Sequence, residues 1–263
     1  MTLSGTNSVF TQINTLADNQ GTFNVLDGRA FTTAGDLENI GTLWVYGAGS
    51  RVDVLGTYTQ TAGQTVLNNG ILSATGGLFF EGGILSGNGT VDGDLHAGAG
   101  ALVGPGFSPG EIIVNGDFII DLGATLILEI GGLDASNFDR IIVNGGDFQL
   151  LGGLTLSFLN GFAPAAFDVF DFVSIDDGFD FIFDPETILV TGIDPLFEFS
   201  LGTGSNRLSL TALNDVNQSA SNGNSVPEPG TLILFGVGLA GLTFARRRRK
   251  TANDNKRAQA RAA

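Results

Sequence analysis

The sequence predicts an all-β protein whose body is a parallel β-helix and whose C-terminal segment is a transmembrane helix. Glycine accounts for 40 of the 263 residues, about twice the usual share. Phe is abundant, with 21 residues, and the body is also rich in Val, Ile and Leu. This composition is typical of many short strands joined by tight turns, rather than of a disordered chain. The body shows almost no amphipathic helical pattern.

The first element of the pattern is a recurring unit of a glycine followed by one polar and one apolar residue, or by two apolar residues. The first two units begin 20 residues apart, at Gly21 and Gly41, and later spacings are irregular. Short runs of alternating apolar residues lie between the glycines, as in 43–45 and 52–54. Each coil of such a repeat leaves its inward side chains half buried until the next coil stacks on it. Further units begin at Gly56, Gly70, Gly77, Gly83, Gly89 and Gly93.

Strand periodicity does not determine which strands pair. An antiparallel sandwich or barrel therefore remains an alternative to the β-helix over residues 20–130.

Part of the repeat region resembles the passenger regions of autotransporter adhesins. The resemblance rests on Leu85–Leu95 and on the glycine-rich segments that follow it. It implies that the β-helix is right-handed. The chain has no room for an autotransporter's membrane barrel, so only the passenger-like part carries over. The following segments are 104–110, 116–118, 124–131 and 139–145.

The composition changes after residue 145. We predict that residues 1–145 form the β-helix repeats and that 146–212, rich in Phe and Asp, form a β cap over the open end. Residues 213–226 are polar and are predicted to be a flexible linker.

The segment 227–250 has three parts in order. Pro227 and Pro229 cannot continue a helix, so a helix would begin after them. Residues 230–245 carry no ionisable side chain and would span about 24 Å as a helix, against about 30 Å for a hydrocarbon core. Five cations then lengthen the effective span and favour the cytoplasmic side. They are Arg246, Arg247, Arg248, Arg249 and Lys250. The alternative is a buried core helix, which rarely ends in five cations.

This tail resembles the PEP-CTERM signal of Gram-negative bacteria, with Pro227, Glu228 and Pro229 as the sorting motif. The resemblance implies recognition by an exosortase in the inner membrane and removal of the tail during export. It also implies an anchored precursor with its body in the periplasm, then a cell-surface or extracellular product.

The two ends depart from that family's pattern. Residues 251–263 extend beyond the usual end and are predicted to be a disordered cytoplasmic tail. The first ten residues lack the basic and apolar regions of a signal peptide, so we expect a late start or a fragment.

Charge is divided sharply along the chain. Before residue 226 there are 25 acidic residues, four Arg and no Lys, a net charge of −21, while the remainder is +6. An acidic body is repelled by nucleic acid, so DNA and RNA are excluded as partners. The absence of Cys excludes disulfides, thiolate metal sites and a Cys nucleophile.

Candidate catalytic residues are few. His96 is the only His, so neither a Ser-His-Asp triad nor a His metal cluster is expected, and an exposed or edge position is the simpler interpretation. Asp92 and Asp94 alternate, which would place both carboxylates on one strand face, as a hydrolase pair requires. Asp beside Gly is more often a solvated turn residue.

The densest acidic stretch, 168–186, contains the three weak Ca²⁺ candidates Asp176, Asp177 and Asp180. Clustered oxygens suit Ca²⁺, but the spacing is not that of an EF-hand, and a solvated loop is the preferred interpretation. We therefore expect no cofactor and no metal. The predicted product is a non-enzymatic structural or adhesive protein of the cell surface or of an exopolysaccharide biofilm matrix. The alternative is a polysaccharide lyase or hydrolase on the same scaffold.

Overall fold

The computed structural model describes residues 1–7, 11–106, 108–204 and 206–216, and the elements it contains are almost all strands. The first are β1 (Thr2–Ser4), a 3-10 helix (Thr11–Thr15), β2 (Asp18–Asn19), β3 (Thr22–Leu26), β4 (Ala30–Thr32), β5 (Leu37–Asn39), β6 (Thr42–Tyr46), β7 (Arg51–Val54) and β8 (Tyr58–Gln60). Next are β9 (Gln64–Ala74), β10 (Leu78–Phe80), β11 (Gly83–Asp92), β12 (Leu95–Ala97), β13 (Ala101–Pro105), β14 (Glu111–Asn115), β15 (Phe118–Ile120) and β16 (Thr125–Ile130). The last are β17 (Arg140–Asn144), β18 (Phe148–Leu150), β19 (Gly153–Phe158), β20 (Val169–Ile175), β21 (Phe181–Phe183), β22 (Thr187–Thr191), β23 (Phe199–Gly202) and β24 (Arg207–Ala212).

The strands form one 16-stranded sheet and one 8-stranded sheet, and the larger sheet contains two columns of strands. The first column is β1, β3, β6, the first part of β9 and of β11, β13, β16, β19 and β22. The second column is β4, β7, the last part of β9 and of β11, β14, β17 and β20. The third column is the smaller sheet, β2, β5, β8, β10, β12, β15, β18 and β21. From β3 to β22 the chain visits the three columns in the same order, and we call one such passage a coil.

Alternation of side chains in these strands produces one continuous apolar core. In β3, Phe23 and Val25 are buried, whereas Thr22 and Asn24 point outward. The alternation of buried apolar residues with outward residues recurs in β6, β14 and β16, where Trp44, Ile113 and Ile127 are outward beside polar residues. Because a parallel strand pairs residue by residue with its neighbour, each inward side chain stacks on its equivalent one coil away. Phe118 and Phe148 form such a pair, with their ring centroids 5.7 Å apart.

The coils differ in length and are longest near the C-terminal end of the described chain. Asn19 bonds to its equivalent 20 residues later, whereas Asp147 and Asp180, at equivalent positions, lie 33 residues apart. The ladder of the third column stays in register despite this change. The additional residues therefore lie in the connections between strands, as in 131–139 and 159–168.

Close stacking explains why glycine recurs at the corners. A Cβ built on Gly41 would lie 2.1 Å from the carbonyl oxygen of Gly21, and one on Gly63 would lie 2.0 Å from that of Gly41. Gly63 also has a φ of +70°, which side chains rarely adopt. The repeated glycine seen in the sequence thus reflects both backbone approach and backbone conformation.

Pairing changes at the C-terminal end of the described chain. β24 runs antiparallel to β20 and to β23, and Phe197 packs on Phe158 with ring centroids 5.2 Å apart. The parallel ladders cross residue 145 without interruption, through β14, β17 and β20. The predicted boundary between residues 145 and 146 therefore does not coincide with a change in strand pairing.

The all-β class and the parallel arrangement of the strands are confirmed. Within the described ranges, the pairs between named strands are parallel apart from β20–β24 and β23–β24, so the antiparallel alternative for residues 20–130 is wrong. The β-helix and its right-handedness stay predictions. The predicted transmembrane segment 230–245 lies outside the described residues, and no helix among those described is long and apolar enough to cross a membrane.

Candidate functional site

Several of the residues predicted from the sequence lie beyond the part of the chain that the structure describes. They are the sorting motif Pro227, Glu228 and Pro229 and the cations Arg246, Arg247, Arg248, Arg249 and Lys250. The same holds for the predicted tail 251–263 and for most of the predicted linker 213–226.

His96 lies in β12, inside the third column rather than at a sheet edge. It is half buried, and its ring stacks on Phe79 of the preceding coil with centroids 5.2 Å apart and planes 16° apart. The position supports a packing role for this imidazole on the outer face of the column.

Asp92 and Asp94 do not share a strand. Asp92 ends β11 in the larger sheet, whereas Asp94 precedes β12 in the smaller one, and Gly93 turns the chain between them with a φ of +135°. Their carboxylates accept hydrogen bonds from different donors, Asn115 Nδ2 and the backbone N–H of Asp117. The inference that alternation places both carboxylates on one strand face is therefore wrong.

The three Ca²⁺ candidates lie in an exposed corner after β20, and two of their carboxylates form hydrogen bonds with protein groups. The Asp176 carboxylate accepts the N–H of Gly145 at 3.0 Å, and the Asp177 carboxylate accepts Nδ2 of Asn206 at 3.2 Å. The backbone N–H of Asp180 donates to Asp147. Among the described residues, no group of three or more His, Asp or Glu side chains could hold a metal ion.

A row of buried amides in the third column was missed by the sequence analysis. Nδ2 of Asn19 donates to Oδ1 of Asn39 at 2.7 Å, and Nδ2 of Asn39 donates to Oε1 of Gln60 at 3.0 Å. Thr65 and Tyr58 continue this amide ladder, with Thr65 Oγ1 donating to Gln60 Oε1 at 2.7 Å. Burial raises the pKa of the Tyr58 hydroxyl, so it remains protonated. The ladder satisfies polar groups inside the core and fixes the register of three coils.

A second ladder consists of aspartates at the corner before the third column. One oxygen of Asp94 accepts the backbone N–H of Asp117, Asp117 accepts that of Asp147, and Asp147 accepts that of Asp180, at 2.8–3.0 Å. We call these four residues the corner aspartates. The repeated Gly-Asp-apolar unit at 93–95, 116–118 and 146–148 was the sequence signal for this ladder.

A third set of equivalent side chains runs along the second column on its outer face. Ser73 donates to Asp53 at 2.6 Å, Asn115 to Asp92 at 3.2 Å and Asn144 to Asn115 at 3.0 Å. These five residues occupy one register position in successive coils, and we call them the outer polar row. Arg51 extends the row sideways, because its Nε donates to Asp53 at 2.8 Å.

Asp139 is a buried carboxylate that the sequence analysis did not single out. Its oxygens accept the backbone N–H groups of Gly110 at 2.7 Å and of Glu129 at 2.9 Å, so it links the segment before β14 to strand β16. Burial raises its pKa to about 7, although the two hydrogen bonds favour the charged form and oppose the rise. Arg140, the next residue, pairs with Glu111 rather than with Asp139.

A shallow, open depression lies on the outer face of the first column. It is lined by Thr22, Asn24 and Leu26 of β3 and by Trp44 and Tyr46 of β6, and we call it the aromatic face. Strand register places Asn24 beside Trp44 and Leu26 beside Tyr46. Tyr46 is 46% exposed. None of the five side chains is charged at neutral pH.

Comparison with known proteins adds one match. Residues 225–250 match the PEP-CTERM protein-sorting motif, so the motif expected at Pro227–Pro229 is confirmed. The motif indicates an exported, exosortase-targeted protein whose precursor is anchored in a membrane. No curated protein matches the chain.

Proposed function

We propose that this protein is a non-enzymatic structural or adhesive element, sorted by an exosortase to the cell surface or to an exopolysaccharide matrix. In this proposal the body is a right-handed parallel β-helix with a C-terminal β cap. The PEP-CTERM motif supports the route. The role at the destination is argued from the surface of the body.

The observation that carries the role is the outer polar row. It presents one hydroxyl, amide or carboxylate group per coil, and hydrogen bonds join neighbouring members at three of its four steps. Parallel strands repeat about every 4.8 Å, so eight strands of the third column extend about 34 Å from first to last. A surface with regularly spaced, preorganised polar groups suits contact with an extended polymer or a neighbouring cell surface.

The hydrolase and lyase alternative lacks a comparable supporting observation. Asp92 and Asp94, the pair suggested by the sequence, face different donors in different sheets. Of the four arginines in the body, Arg51, Arg140 and Arg207 each form an ion pair with a neighbouring carboxylate.

The experiment begins in the native host, with mass spectrometry of the full-length gene product in cell fractions. We expect a product outside the cell that ends near Val226–Gly230, and we expect a variant with alanine at Pro227, Glu228 and Pro229 to stay intact in the membrane. A deletion strain should lose surface attachment or matrix cohesion, and the wild-type gene should restore it. Normal attachment in the deletion strain would contradict the structural or adhesive role.

The enzyme alternative is tested on the same fractions. Purified protein is incubated with polysaccharide extracted from the host, and reducing ends and unsaturated uronates are measured. Time-dependent release that needs the protein would replace the structural proposal by the enzymatic one.

A further inference from the structure

The aromatic face brings together an indole ring and a phenol ring, and the rest of the body has neither of these rings on its surface. Trp44 is the only Trp of the chain, and Tyr46 is one of two Tyr. The other, Tyr58, is fully buried and bonded to Thr65. Indole and phenol rings provide large, rigid contact areas with a polar group at one edge, which is why they dominate binding surfaces.

The backbone explains why these groups share one flat surface. Phe23 and Val25 of β3, like Leu43 and Val45 of β6, point into the core, so the alternate residues must point outward. The rows of this surface continue into the neighbouring strands through neutral groups. Asn24 Nδ2 donates to Thr2 Oγ1 at 3.0 Å, and Gln64 Nε2 donates to Thr42 Oγ1 at 3.4 Å.

Charge determines the class of partner. The body carries a net charge of −21, yet the aromatic face and its extensions Thr2, Thr42 and Gln64 consist of hydroxyl, amide, aromatic and aliphatic groups. Asp27 follows Leu26 at the margin, where its carboxylate accepts a hydrogen bond from Ser4. An anionic polymer or an anionic membrane would be repelled by the body, and the five side chains that line this face include no cation. A second copy would bring two strongly acidic bodies together, whereas a neutral partner meets no such repulsion.

Resting on the structural or adhesive function proposed above, we propose that the aromatic face binds a neutral polysaccharide chain. The rings of Trp44 and Tyr46 stack on the C–H faces of sugar rings, and Asn24 and Thr22 form hydrogen bonds with sugar hydroxyls. The flat, open shape of the face accommodates an extended chain rather than a small enclosed ligand.

The test uses full-length protein in mild detergent and native gels containing a soluble polysaccharide. The neutral probes are hydroxyethyl cellulose, galactomannan and dextran, and carboxymethyl cellulose is the anionic match of the first. We expect retardation by at least one neutral probe, little by carboxymethyl cellulose, and a change in Trp44 fluorescence on binding. Retardation by none of the three neutral probes would overturn the proposal.

Variants locate the binding surface. Tyr46→Ala and Trp44→Ala should each weaken retardation about tenfold or more, the effect expected of a central aromatic contact. Tyr46→Phe keeps the ring and should retain most of the binding. Phe79→Ala removes a half-buried outward ring from the third column and serves as the matched control. Circular dichroism checks that each variant is folded. Equal binding by folded Tyr46→Ala and wild type would contradict the proposal.

The remaining outcomes separate this inference from the proposed function. If sedimentation shows that Tyr46→Ala changes self-association instead of polysaccharide binding, a second copy is the occupant and the inference is wrong. If the deletion strain attaches normally but the gels show Tyr46-dependent retardation, the structural or adhesive role fails while the binding face stands. If the deletion strain is defective and Tyr46→Ala restores it fully, the role stands and the binding face fails.

Discussion

Nδ2 of Asn39 donates a hydrogen bond to Oε1 of Gln60 at 3.0 Å, between two fully buried side chains that lie 21 residues apart. The same Asn39 accepts a hydrogen bond from Asn19 of the preceding coil. One side chain therefore joins three coils through groups that water cannot reach. An unsatisfied polar group in this position would cost more than the hydrogen bond itself contributes. The amide ladder consequently specifies which residues stack, in a core where apolar side chains alone would tolerate shifts.

Replacing Asn39 by Leu should lower the free energy of unfolding by about 1–3 kcal/mol, because Asn19 and Gln60 each lose a partner in the core. The measurement is urea unfolding of the full-length protein in detergent, followed by circular dichroism. Asn115→Leu is the control, since Asn115 makes similar bonds at the exposed surface, and its effect should be below about 1 kcal/mol. Equal losses in the two variants would show that the buried ladder has no special role.

The corner glycines allow a comparison at matched backbone conformation. Gly63 and Gly145 have φ values of +70° and +66°, but a Cβ on Gly63 would lie 2.0 Å from the Gly41 oxygen, whereas one on Gly145 meets nothing within 4 Å. Gly145→Ala should cost about 1–2 kcal/mol through its conformation alone. Gly63→Ala should cost at least about 2 kcal/mol more, because two coils must separate. Thermal unfolding of both variants tests this, and equal melting temperatures would contradict the steric explanation.

The parallel architecture was predictable because glycine units and apolar alternation reflect local backbone requirements. Gly41 shows this directly, since its Cβ would collide with the previous coil and only Gly fits there. Contacts between side chains of different coils were harder to predict from the sequence. The amide ladder joins Asn19, Asn39 and Gln60, which look like ordinary polar residues at strand ends until strand register places them together.

Asp92 and Asp94 show the reverse case, in which the sequence pattern suggested a shared strand face that the structure does not have. A period of two indicates one face only if the backbone stays extended, and Gly93 breaks that condition with its φ of +135°. Asp139 was missed for a related reason: its partners Gly110 and Glu129 come from two other coil segments. The sorting motif was identified correctly because all of its information is contiguous in sequence.

The corner aspartates should respond differently to loss of charge and to loss of an acceptor. Asp117 accepts the N–H of Asp147, and it lies one strand spacing from two other carboxylates. Asp117→Asn keeps an acceptor oxygen and removes like-charge repulsion, so its stability should equal or exceed that of the wild type at low salt. Asp117→Ala leaves the N–H without its partner and should cost about 1 kcal/mol. Unfolding at low and high salt measures both effects, and added salt should stabilise the wild type more than Asp117→Asn. A loss in Asp117→Asn as large as in Asp117→Ala would mean that the charge itself is stabilising.

The pH dependence of stability should contain a distinct contribution from Asp139. Its pKa is about 7 in the folded protein, against a usual value of 3.8, because burial disfavours the carboxylate. The folded state therefore holds the proton more tightly than the unfolded state does. Between pH about 4 and pH about 7 this proton is bound mainly in the folded state, so the contribution of Asp139 to stability falls as the pH rises. Above pH about 7 both states are ionised and the contribution stays constant.

Asp139→Asn isolates this contribution. The variant cannot titrate at this position. The unfolding free energy of the wild type should decline between pH 4 and 7 by an amount that the variant does not show. This difference amounts to a few kcal/mol, at about 1.4 kcal/mol per unit of pKa shift. It should also be less stable than the wild type at pH 5, because one amide N–H₂ would face the backbone N–H of Gly110 or Glu129. The other charged groups near this corner, Glu111, Glu129 and Arg140, are unchanged in the comparison. Urea unfolding across this pH range, with wild type and variant in parallel, gives the difference in slope directly. Identical slopes would mean that Asp139 is ionised throughout the range, so that its two backbone hydrogen bonds outweigh the effect of burial.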